Sequence, residues 1–211
     1  VSGPNFIDWR EQSRSFDRLV AYSPYYANLT GAGEAERVQA TACTYGLFEL
    51  LRVQPALGRT FSPEEEQPGK GDVAIISASL WQRRFGADPN LVGKTLTFDG
   101  NSRTVIGIMP PGFQHPCPWS FDSPTEVWIP MPVEELQEGR DGNWLLVLGR
   151  LAEGVALHHA VVPVRDVGVV GQHGPDAGPW RGHRTFHLDV PHRSSSLVNG
   201  RRRSPGGYDL V

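Results

Sequence analysis

The chain has 211 residues, of which 39 % are apolar and 20 % are charged, and its formal net charge is −3. A domain of this length buries about 70 % of the surface of its unfolded chain, so a real core is expected, and the composition as a whole does not suggest disorder. The small net charge gives no sign of a polycation that binds nucleic acid.

The sequence contains no candidate membrane helix and no recognisable start. Its longest apolar stretches fall far short of the roughly 20 residues that cross a bilayer, so the chain as given is predicted to span no membrane. Val1 stands directly before a helix-like segment, without an initiating Met, a charged n-region or an apolar h-region. We therefore expect Val1 to be a cut within a longer sequence.

The first predicted element is a helix over residues 5–16. Phe6, Trp9 and Phe16 recur at intervals of three and seven, which puts them on one face of a helix. Pro4 suits the first turn, where a missing N–H costs nothing. The helix is therefore expected to turn an aromatic face towards the core.

Two strands and a short helix are predicted next. Residues 19–29 are rich in Tyr and break the helical period, and residues 37–42 alternate polar and apolar side chains as a half-buried strand does. A glycine turn at 31–33 joins the two strands. Leucines at helical spacing then predict a helix over 47–51, with Pro55 among the residues that stop it.

A strand, a turn and a helix follow a local cap. Ser62 and Glu65 have the spacing of a capping box, in which each satisfies a backbone N–H near the other. Residues 73–76 form an apolar, β-branched run typical of a strand. Ser77 is a plausible cap for the helix behind it, which Gly86 ends.

The clearest hairpin in the sequence surrounds residues 99–100. Residues 95–98 and 105–109 are strand-like, and the Asp-Gly pair between them is typical of a tight turn. Residues 127–129 and 144–151 supply two further strands. Up to about residue 157 the chain is therefore predicted to be mixed α and β.

The amino-acid composition of the sequence changes after residue 157. Residues 158–211 contain no Lys and no Glu, six of the seven His, and seven Arg against four Asp. Prolines and glycines are scattered there without a sustained period. We expect an irregular, poorly ordered tail and interpret the sudden change as a reading-frame shift or a truncated gene, which translation of the encoding DNA in its other frames tests.

Five segments form an ordered set of motifs. They are PNFIDWREQSRSF at 4–16, GLFELLRVQPALGRTF at 46–61, SLWQRRFG at 79–86, VIGIMPPGF at 105–113 and RLAEGV at 150–155. Read in this order, they resemble the MacB-like periplasmic core domain of ABC transporter permeases, the MacB/FtsX permease family. The resemblance covers residues 1 to about 157, and the joint order is specific although each segment alone is weak.

The resemblance implies a fold and a division of the chain. The implied fold class is α+β, with a porter-like (ferredoxin-like) α/β layer and an inserted strand-rich subdomain. The porter-like layer would comprise residues 1–60 and 141–157, and the insertion residues 61–140. Family members continue with a capped amphipathic helix and membrane helices, whereas this chain continues with His158, His159 and a valine-rich stretch.

The resemblance also implies a function. It predicts a non-catalytic, periplasm-facing domain at the bacterial inner membrane that couples the motion of membrane helices to export. Its partners would be the permease membrane helices and a separate ATPase subunit or domain, with a periplasmic protein and a homodimer left open. Neither a cofactor nor nucleic acid is expected. A secreted serine-type hydrolase and a non-functional gene fragment are the alternatives.

The hydrolase alternative depends on Ser77 and Ser79, which follow a predicted strand at the start of a helix. Catalysis would need a histidine base and an acid nearby. No GxSxG sequence surrounds these serines, and His115 is the only histidine before the tail. Capping is therefore favoured over catalysis.

Metal and nucleotide sites have little support. Cys43 and Cys117 lack CxxC spacing, so we favour two unpaired core residues over a disulfide. The tail histidines lack the regular spacing of a metal site, the run Arg201–Arg203 is a weak anion-binding signal, and no GxGxxG or Walker pattern occurs. The histidines in question are His158, His159, His173, His183, His187 and His192.

Aromatic residues are the most informative part of the sequence. Those in the predicted strands and loops suit either a core or a partner-binding face, and the strand alternation favours the core. They are Tyr22, Tyr25, Tyr26, Trp119, Phe121, Trp128 and Trp144. We predict that five others anchor the core, at about 3 to 5 kcal/mol each if fully buried. These anchors are Trp9, Phe16, Phe48, Trp81 and Phe85.

Overall fold

The computed structural model describes residues 1–115, 124–132, 134–137 and 144–155, together with the backbone of 167–170. Its α-helices are α1 (Gly3–Gln12), α2 (Leu47–Leu51) and α3 (Ala78–Phe85), and short 3-10 helices lie at Pro63–Glu66, Pro89–Leu91 and Glu135–Gln137. Its strands are β1 (Phe16–Thr30), β2 (Glu36–Cys43), β3 (Leu57–Gly58), β4 (Val73–Ile76), β5 (Thr95–Phe98), β6 (Asn101–Ile108), β7 (Val127–Pro130), β8 (Leu146–Leu151) and β9 (Val167–Val170). Among these helices none combines the length and the apolar character needed to cross a bilayer.

The nine strands form a single sheet. Its order is β2-β7-β4-β6-β5-β1-β8-β9, and β3 pairs with β6. Because β2 also pairs with β1, six of the strands close into a ring. The 15-residue strand β1 makes this possible, since its first part pairs with β8 and its later part with β2 and β5.

The predicted division into a porter-like layer and an insertion is not visible as a break in this sheet. Strands from residues 1–60, 61–140 and 141–157 are hydrogen-bonded to one another. The boundaries therefore stay a prediction. The predicted mixture of α and β elements is confirmed up to residue 155.

Helix α1 is shorter than predicted. It ends at Gln12, with Ser13 in an extended conformation, and Phe16 begins β1 instead of completing a helical face. The prediction of a helix up to residue 16 is therefore wrong. Phe16 is opposite Leu151 in the ladder between β1 and β8, so pairing with a distant strand overrides the local period.

The local signals around α3 are confirmed. Ser77 caps the helix by accepting the Leu80 amide at 3.1 Å, and Gly86 ends it in the left-handed region. The Glu65 carboxylate accepts the Ser62 amide at 2.8 Å, as a capping box requires. The helix α2 is also present, but it ends at a left-handed Arg52 before Pro55 is reached.

The hairpin of β5 and β6 has the predicted turn. Asp99 and Gly100 both have positive φ, at 50° and 79°, which a tight two-residue turn requires. Strand β8 begins at Leu146 and not at Trp144 as predicted. Strand β9, which pairs with β8 in parallel, is an addition to the sequence prediction inside the segment expected to be irregular.

Three apolar clusters lie against the sheet. The first joins α2, the loops after β3 and β6, and residues of β7 and β8. The second is built by the strands of the ring together with α3. The third joins α1 to the first part of β1, to β8 and to the segment around Met131 and Leu136. Each of the three α-helices therefore packs on the sheet through one of these clusters.

Candidate functional site

Four aromatic rings form the centre of the first cluster, and we call them the aromatic cluster: Phe48, Phe61, Phe113 and Trp128. The centroid of Phe48 lies 5.8 Å from Phe61 and 6.0 Å from both Phe113 and Trp128, and Phe113 lies 5.5 Å from Trp128. All pairs are tilted or edge-on, which is the arrangement that aromatic quadrupoles favour. The cluster ties α2 to β7.

His115 continues this cluster as a buried polar group. Its exposed fraction is 6 %, its ring meets Tyr22 edge-on at 5.2 Å, and its Nδ1 accepts the indole N–H of Trp128 at 3.4 Å. The proton of the neutral ring therefore belongs on Nε2, which has no hydrogen-bond partner among the described residues. Burial lowers the pKa of His115 to about 4.

Acidification should destabilise the fold through His115. Its imidazole binds a proton at about pH 6.5 in the unfolded chain but only at about pH 4 in the fold, so the unfolded state binds more protons between these values. The free energy of unfolding therefore has its full value above about pH 6.5 and decreases as the pH falls towards 4. Between pH 7 and pH 5 the wild-type chain should lose about 2 kcal/mol more than His115→Gln, as measured by urea denaturation. An equal loss in both proteins would mean that His115 titrates normally.

The five predicted anchors differ in burial. Phe16 and Phe48 are buried, whereas Trp9, Trp81 and Phe85 are partly exposed. The indole N–H of Trp81 donates to the Asp88 carbonyl at 2.8 Å, which fixes the loop after α3. Their energetic contribution stays a prediction.

Residues 1–19 are hydrogen-bonded to β8 and to the residues directly before and after it, and we call residues 1–19 and 145–152 the terminal junction. The Val1 amino group donates to the Leu145 carbonyl at 2.9 Å, and the Leu145 amide returns a bond to Val1 at 3.1 Å. At the other end of β8, the Ala152 amide donates to Ser15 at 3.0 Å. Both segments are therefore hydrogen-bonded to each other next to strands of the sheet.

Gly149 and Arg150 make the terminal junction tight. A Cβ on Gly149 would lie 2.5 Å from ring carbons of Phe16, so the aromatic ring occupies the space of a side chain. Arg150 is 7 % exposed, and its Nε donates to the Leu50 carbonyl at 2.8 Å, with Nη2 donating to the same oxygen. Burial, assisted by the charge of Arg52, lowers the pKa of Arg150. This arginine holds the end of α2 against β8.

A second set of contacts fastens α3 to the ring. Arg83 pairs with Glu36 and, at 2.9 Å to both carboxylate oxygens, with Glu126. These two glutamates raise the pKa of Arg83. Arg84 donates to the Glu34 carbonyl. Such exposed pairs contribute little stability individually, but they fix the orientation of α3.

The two serines of the hydrolase alternative form hydrogen bonds with groups at the start of α3. Ser77 Oγ accepts the Leu80 amide, and the hydroxyls of Ser77 and Ser79 lie 2.8 Å apart. Among the hydrogen bonds of the described residues, neither serine contacts a histidine. The predicted cap is confirmed, and this geometry gives the hydrolase alternative no support.

The remaining candidates for metal or anion binding fall largely outside the described residues. Cys117, the six tail histidines and Arg201–Arg203 all lie there. Within the described ranges, no three side chains of His, Cys, Asp or Glu gather as a metal site would need. Cys43 is buried and free, and burial raises the pKa of its thiol.

The aromatic residues that the sequence allowed in either the core or a partner-binding face differ in burial in the structure. Tyr22 and Trp128 are fully buried, Tyr25 and Tyr26 are half-buried, and Trp144 is 38 % exposed. Trp119 and Phe121 lie outside the described residues. The sequence prediction placed Trp144 inside a strand, whereas β8 begins only at Leu146, so the exposure of Trp144 was not predicted.

Arg150 and Gly149 are the residues that sequence reasoning missed. Both lie inside the motif at 150–155 or directly before it, so a signal was present. An arginine in an otherwise apolar strand, preceded by glycine, indicates a buried cation with a backbone partner and a close neighbour. The partners themselves, Leu50 and Phe16, are distant in sequence.

Comparison with known proteins agrees with the resemblance seen in the sequence. The profile of the MacB-like periplasmic core domain matches residues 3–166, slightly more than expected. The fold is similar to the periplasmic region of MacB from Actinobacillus actinomycetemcomitans, with a TM-score of 0.52 and 12 % identity over 74 % of this chain and 66 % of that one. No curated protein sequence matches the chain.

A second solved structure gives the same result. A domain from Porphyromonas gingivalis, described as part of a permease, is similar with a TM-score of 0.55 and 15 % identity over 74 % of this chain and 65 % of that one. At such low identities the likeness establishes the fold. The chain covers about two thirds of the length of each structure.

Proposed function

The chain belongs to the family of MacB-like periplasmic core domains, and we propose that it transmits the motion of permease membrane helices to an exported substrate or a periplasmic partner. As a member of this family it is an extracytoplasmic, periplasm-facing domain of an ABC-type permease. In the proposal, ATP hydrolysis by a separate subunit or domain moves the membrane helices. No side chain of this domain carries out chemistry.

The terminal junction is the observation that supports this role. Transmission of motion requires a stiff body whose connections to the rest of the protein are not loose. Here Val1 is hydrogen-bonded to Leu145, directly before β8, and Ala152, directly after β8, is hydrogen-bonded to Ser15, directly before β1. The apolar cluster beneath them is continuous from α1 to β8.

The division of labour within the domain is part of the proposal. Residues 1–60 and 141–157 would follow the membrane helices, and residues 61–140 would meet the partner. The third apolar cluster supports this division, because most of its members come from the first two ranges. The ring of strands then connects the two parts.

Spin labels can test the proposal without knowledge of the substrate. One label replaces Arg14 or Glu34, which are exposed and lie before and after β1, and a second label lies on the membrane-helix bundle of the permease encoded at the locus. We expect ATP with vanadate to change the distance from either label to the bundle, because the domain moves with the helices. The distance between Arg14 and Glu34 should stay constant.

Two outcomes would contradict the proposal. One is the absence of any nucleotide-dependent change between domain and bundle, which would mean that the domain does not follow the helices. The other is a change between the labels at Arg14 and Glu34, which would mean that the domain deforms instead of moving as a body. As a control, the complex of the labelled permease with its ATPase should hydrolyse ATP at the rate of the unlabelled complex, which shows that the labels do not disturb it.

A further inference from the structure

Arg18 and Arg150 lie directly opposite each other in the antiparallel ladder between β1 and β8. Directly opposed residues of such a ladder point to the same face of the sheet, with Cβ atoms about 5 Å apart. Two like charges in this position repel each other and destabilise the ladder unless something offsets them. The pair therefore needs compensation from its surroundings.

Contacts with α2 and the loop before it hold both side chains in place. The Arg18 guanidinium lies 5.4 Å from the centroid of the Tyr45 ring, and a Cβ on Gly46 would lie 2.6 Å from its Nη1. Arg150 Nε donates to the Leu50 carbonyl at 2.8 Å. One helical turn separates the two contacts, since the Leu50 amide donates to the Gly46 carbonyl at 2.8 Å. The two guanidinium groups are therefore fixed near the two ends of α2.

A third arginine and one carboxylate act on this pair electrostatically. Burial lowers the pKa of Arg150 most, the charge of Arg52 at the end of α2 lowers it further, and the carboxylate of Asp17 opposes both effects. Arg52 and Asp17 therefore lie close enough to Arg150 for their charges to be felt there. Three positive charges around one negative charge leave an excess of two positive charges.

Two glutamates near α2 are engaged by other groups. Glu66 pairs with Arg10 at 3.5 Å, and Glu49 accepts the Thr60 hydroxyl at 2.8 Å. The second carboxylate oxygen of Glu49 is buried without a hydrogen bond among the described residues, so no guanidinium reaches it. In the described part of the chain, none of the three arginines of this group forms a salt bridge. The excess positive charge is therefore not neutralised by these residues.

The site keeps hydrogen-bond donors that the described residues do not use. Arg150 donates to Leu50 through Nε and Nη2, which leaves its Nη1. Arg18 borders an open cleft of about 300 Å³, which gives access from solvent. Ser13 lines the same cleft, and its Oγ is buried without a hydrogen-bond partner in the described ranges. Because a hydroxyl can donate, Ser13 adds a further donor beside Arg18.

We propose that Arg18, Arg52 and Arg150 bind a phosphate monoester group, carried by a soluble molecule or by a lipid headgroup. Such a group has a charge of about −1.5 to −2 at pH 7 and three strong acceptor oxygens, which matches an excess of two positive charges. Guanidinium groups bind phosphate oxygens in pairs. A single carboxylate would neutralise only half of the excess. The site is additional to the coupling role, and it can be occupied whether or not the domain transmits motion.

Calorimetry at low ionic strength tests the site in the full 211-residue chain. Glycerol 3-phosphate is the phosphate monoester, glycerate is the carboxylate of similar shape, and glycerol is the neutral counterpart. We expect glycerol 3-phosphate to bind with a Kd of about 1 mM, as befits a ligand of so few atoms. Glycerate should bind roughly tenfold more weakly and glycerol not at all. Added salt should weaken the binding of glycerol 3-phosphate, because it screens the charges.

Sedimentation with lipid vesicles distinguishes the two sources of the phosphate group. One set of vesicles contains phosphatidylcholine alone, and the other also contains phosphatidic acid, whose headgroup is a phosphate monoester. Binding to the phosphatidic acid vesicles, in addition to glycerol 3-phosphate, identifies a headgroup as the ligand. Binding of glycerol 3-phosphate without binding to either set of vesicles identifies a soluble ligand.

Matched variants separate the site from overall charge. The double variant Arg18→Gln/Arg52→Gln leaves Arg150 in place and should weaken glycerol 3-phosphate binding roughly tenfold. The control Arg37→Gln/Lys70→Gln removes the same charge at two exposed positions and should change the Kd less than about twofold. Arg37 is a close match for Arg18, because its guanidinium also lies over a tyrosine ring, that of Tyr26 at 4.3 Å.

A change of opposite sign comes from Asp17→Asn. This variant removes the carboxylate that opposes the three arginines, and Asp17 is exposed, so the fold should tolerate the change. We expect glycerol 3-phosphate to bind about threefold more tightly, which damage to the fold would not produce. Thermal melts verify that each variant is folded.

Three results would overturn the proposal. The first is the absence of glycerol 3-phosphate binding at low ionic strength, and the second is binding of glycerate with the same affinity. The third is an equal affinity of the Arg18→Gln/Arg52→Gln and Arg37→Gln/Lys70→Gln variants for glycerol 3-phosphate. Each of these results leaves the nucleotide-dependent movement of the domain unaffected, so the two proposals fail independently.

Discussion

Replacing Phe48 by alanine should lower the free energy of unfolding by about 3 to 5 kcal/mol, the range for a large buried aromatic side chain. Phe48 is 1 % exposed and contacts three other rings of the aromatic cluster. Its removal leaves a cavity that α2 cannot fill, since the Leu50 carbonyl of this helix is held by Arg150. Urea denaturation, analysed by linear extrapolation, gives the loss.

The partly exposed anchors provide the comparison for Phe48. Trp9, Trp81 and Phe85 should each cost less when replaced by alanine, because part of each side chain already contacts water. A loss below about 1 kcal/mol at Phe48, equal to that at Phe85, would show that the aromatic cluster does not support the fold.

Substitution of Gly107 by alanine should lower the free energy of unfolding by about 3 kcal/mol, nearly as much as the loss of the Phe48 ring. A Cβ at this position would lie 2.4 Å from the carbonyl oxygen of Arg59, which is backbone and cannot rotate away. Gly107 pairs with Gly58 on one side and with Ile75 on the other. The clash therefore forces β3 away from β6, and thermal denaturation should record the loss.

Gly69 is a control for this prediction. It has a positive φ of 70°, and a Cβ there would meet nothing within 4 Å. Gly69→Ala should cost about 1 kcal/mol, from backbone strain alone. Equal losses for Gly69→Ala and Gly107→Ala would mean that close approach of β3 is not the reason for glycine at position 107.

Elements with local causes could be predicted from the sequence. The cap at Ser77, the left-handed stop at Gly86 and the turn at Asp99 each depend on residues within a few positions of one another. Short-range hydrogen bonds and positive φ values are properties of residue types, so the sequence contains the information directly.

Elements with distant partners could not be predicted in the same way. Phe16 lies in β1 and not in a helix because it pairs with the distant Leu151. The ring closes because β1 is long enough to pair with three strands. Strand β3 has two residues, too few for a pattern. The arginines Arg18, Arg52 and Arg150 come from segments whose proximity only the fold determines.

The buried residues of the terminal junction show why site prediction was partial. An inward-facing arginine in a strand is recognisable as unusual, yet its partner, the carbonyl of Leu50, lies 100 residues earlier. The motif at 150–155 indicated a family and gave no role for Arg150. The role follows from the hydrogen bonds that the fold provides.

The most direct test of the coupling role measures the nucleotide-dependent distance between domain and membrane helices after a flexible glycine-serine segment is inserted between Glu153 and Gly154. Both residues are exposed and lie between the terminal junction and β9, so the insertion makes the chain flexible directly after the junction. The distance change should disappear there and persist when the same segment is inserted between the exposed residues Pro68 and Gly69. An unchanged distance shift in the Glu153 insertion would contradict transmission through this junction.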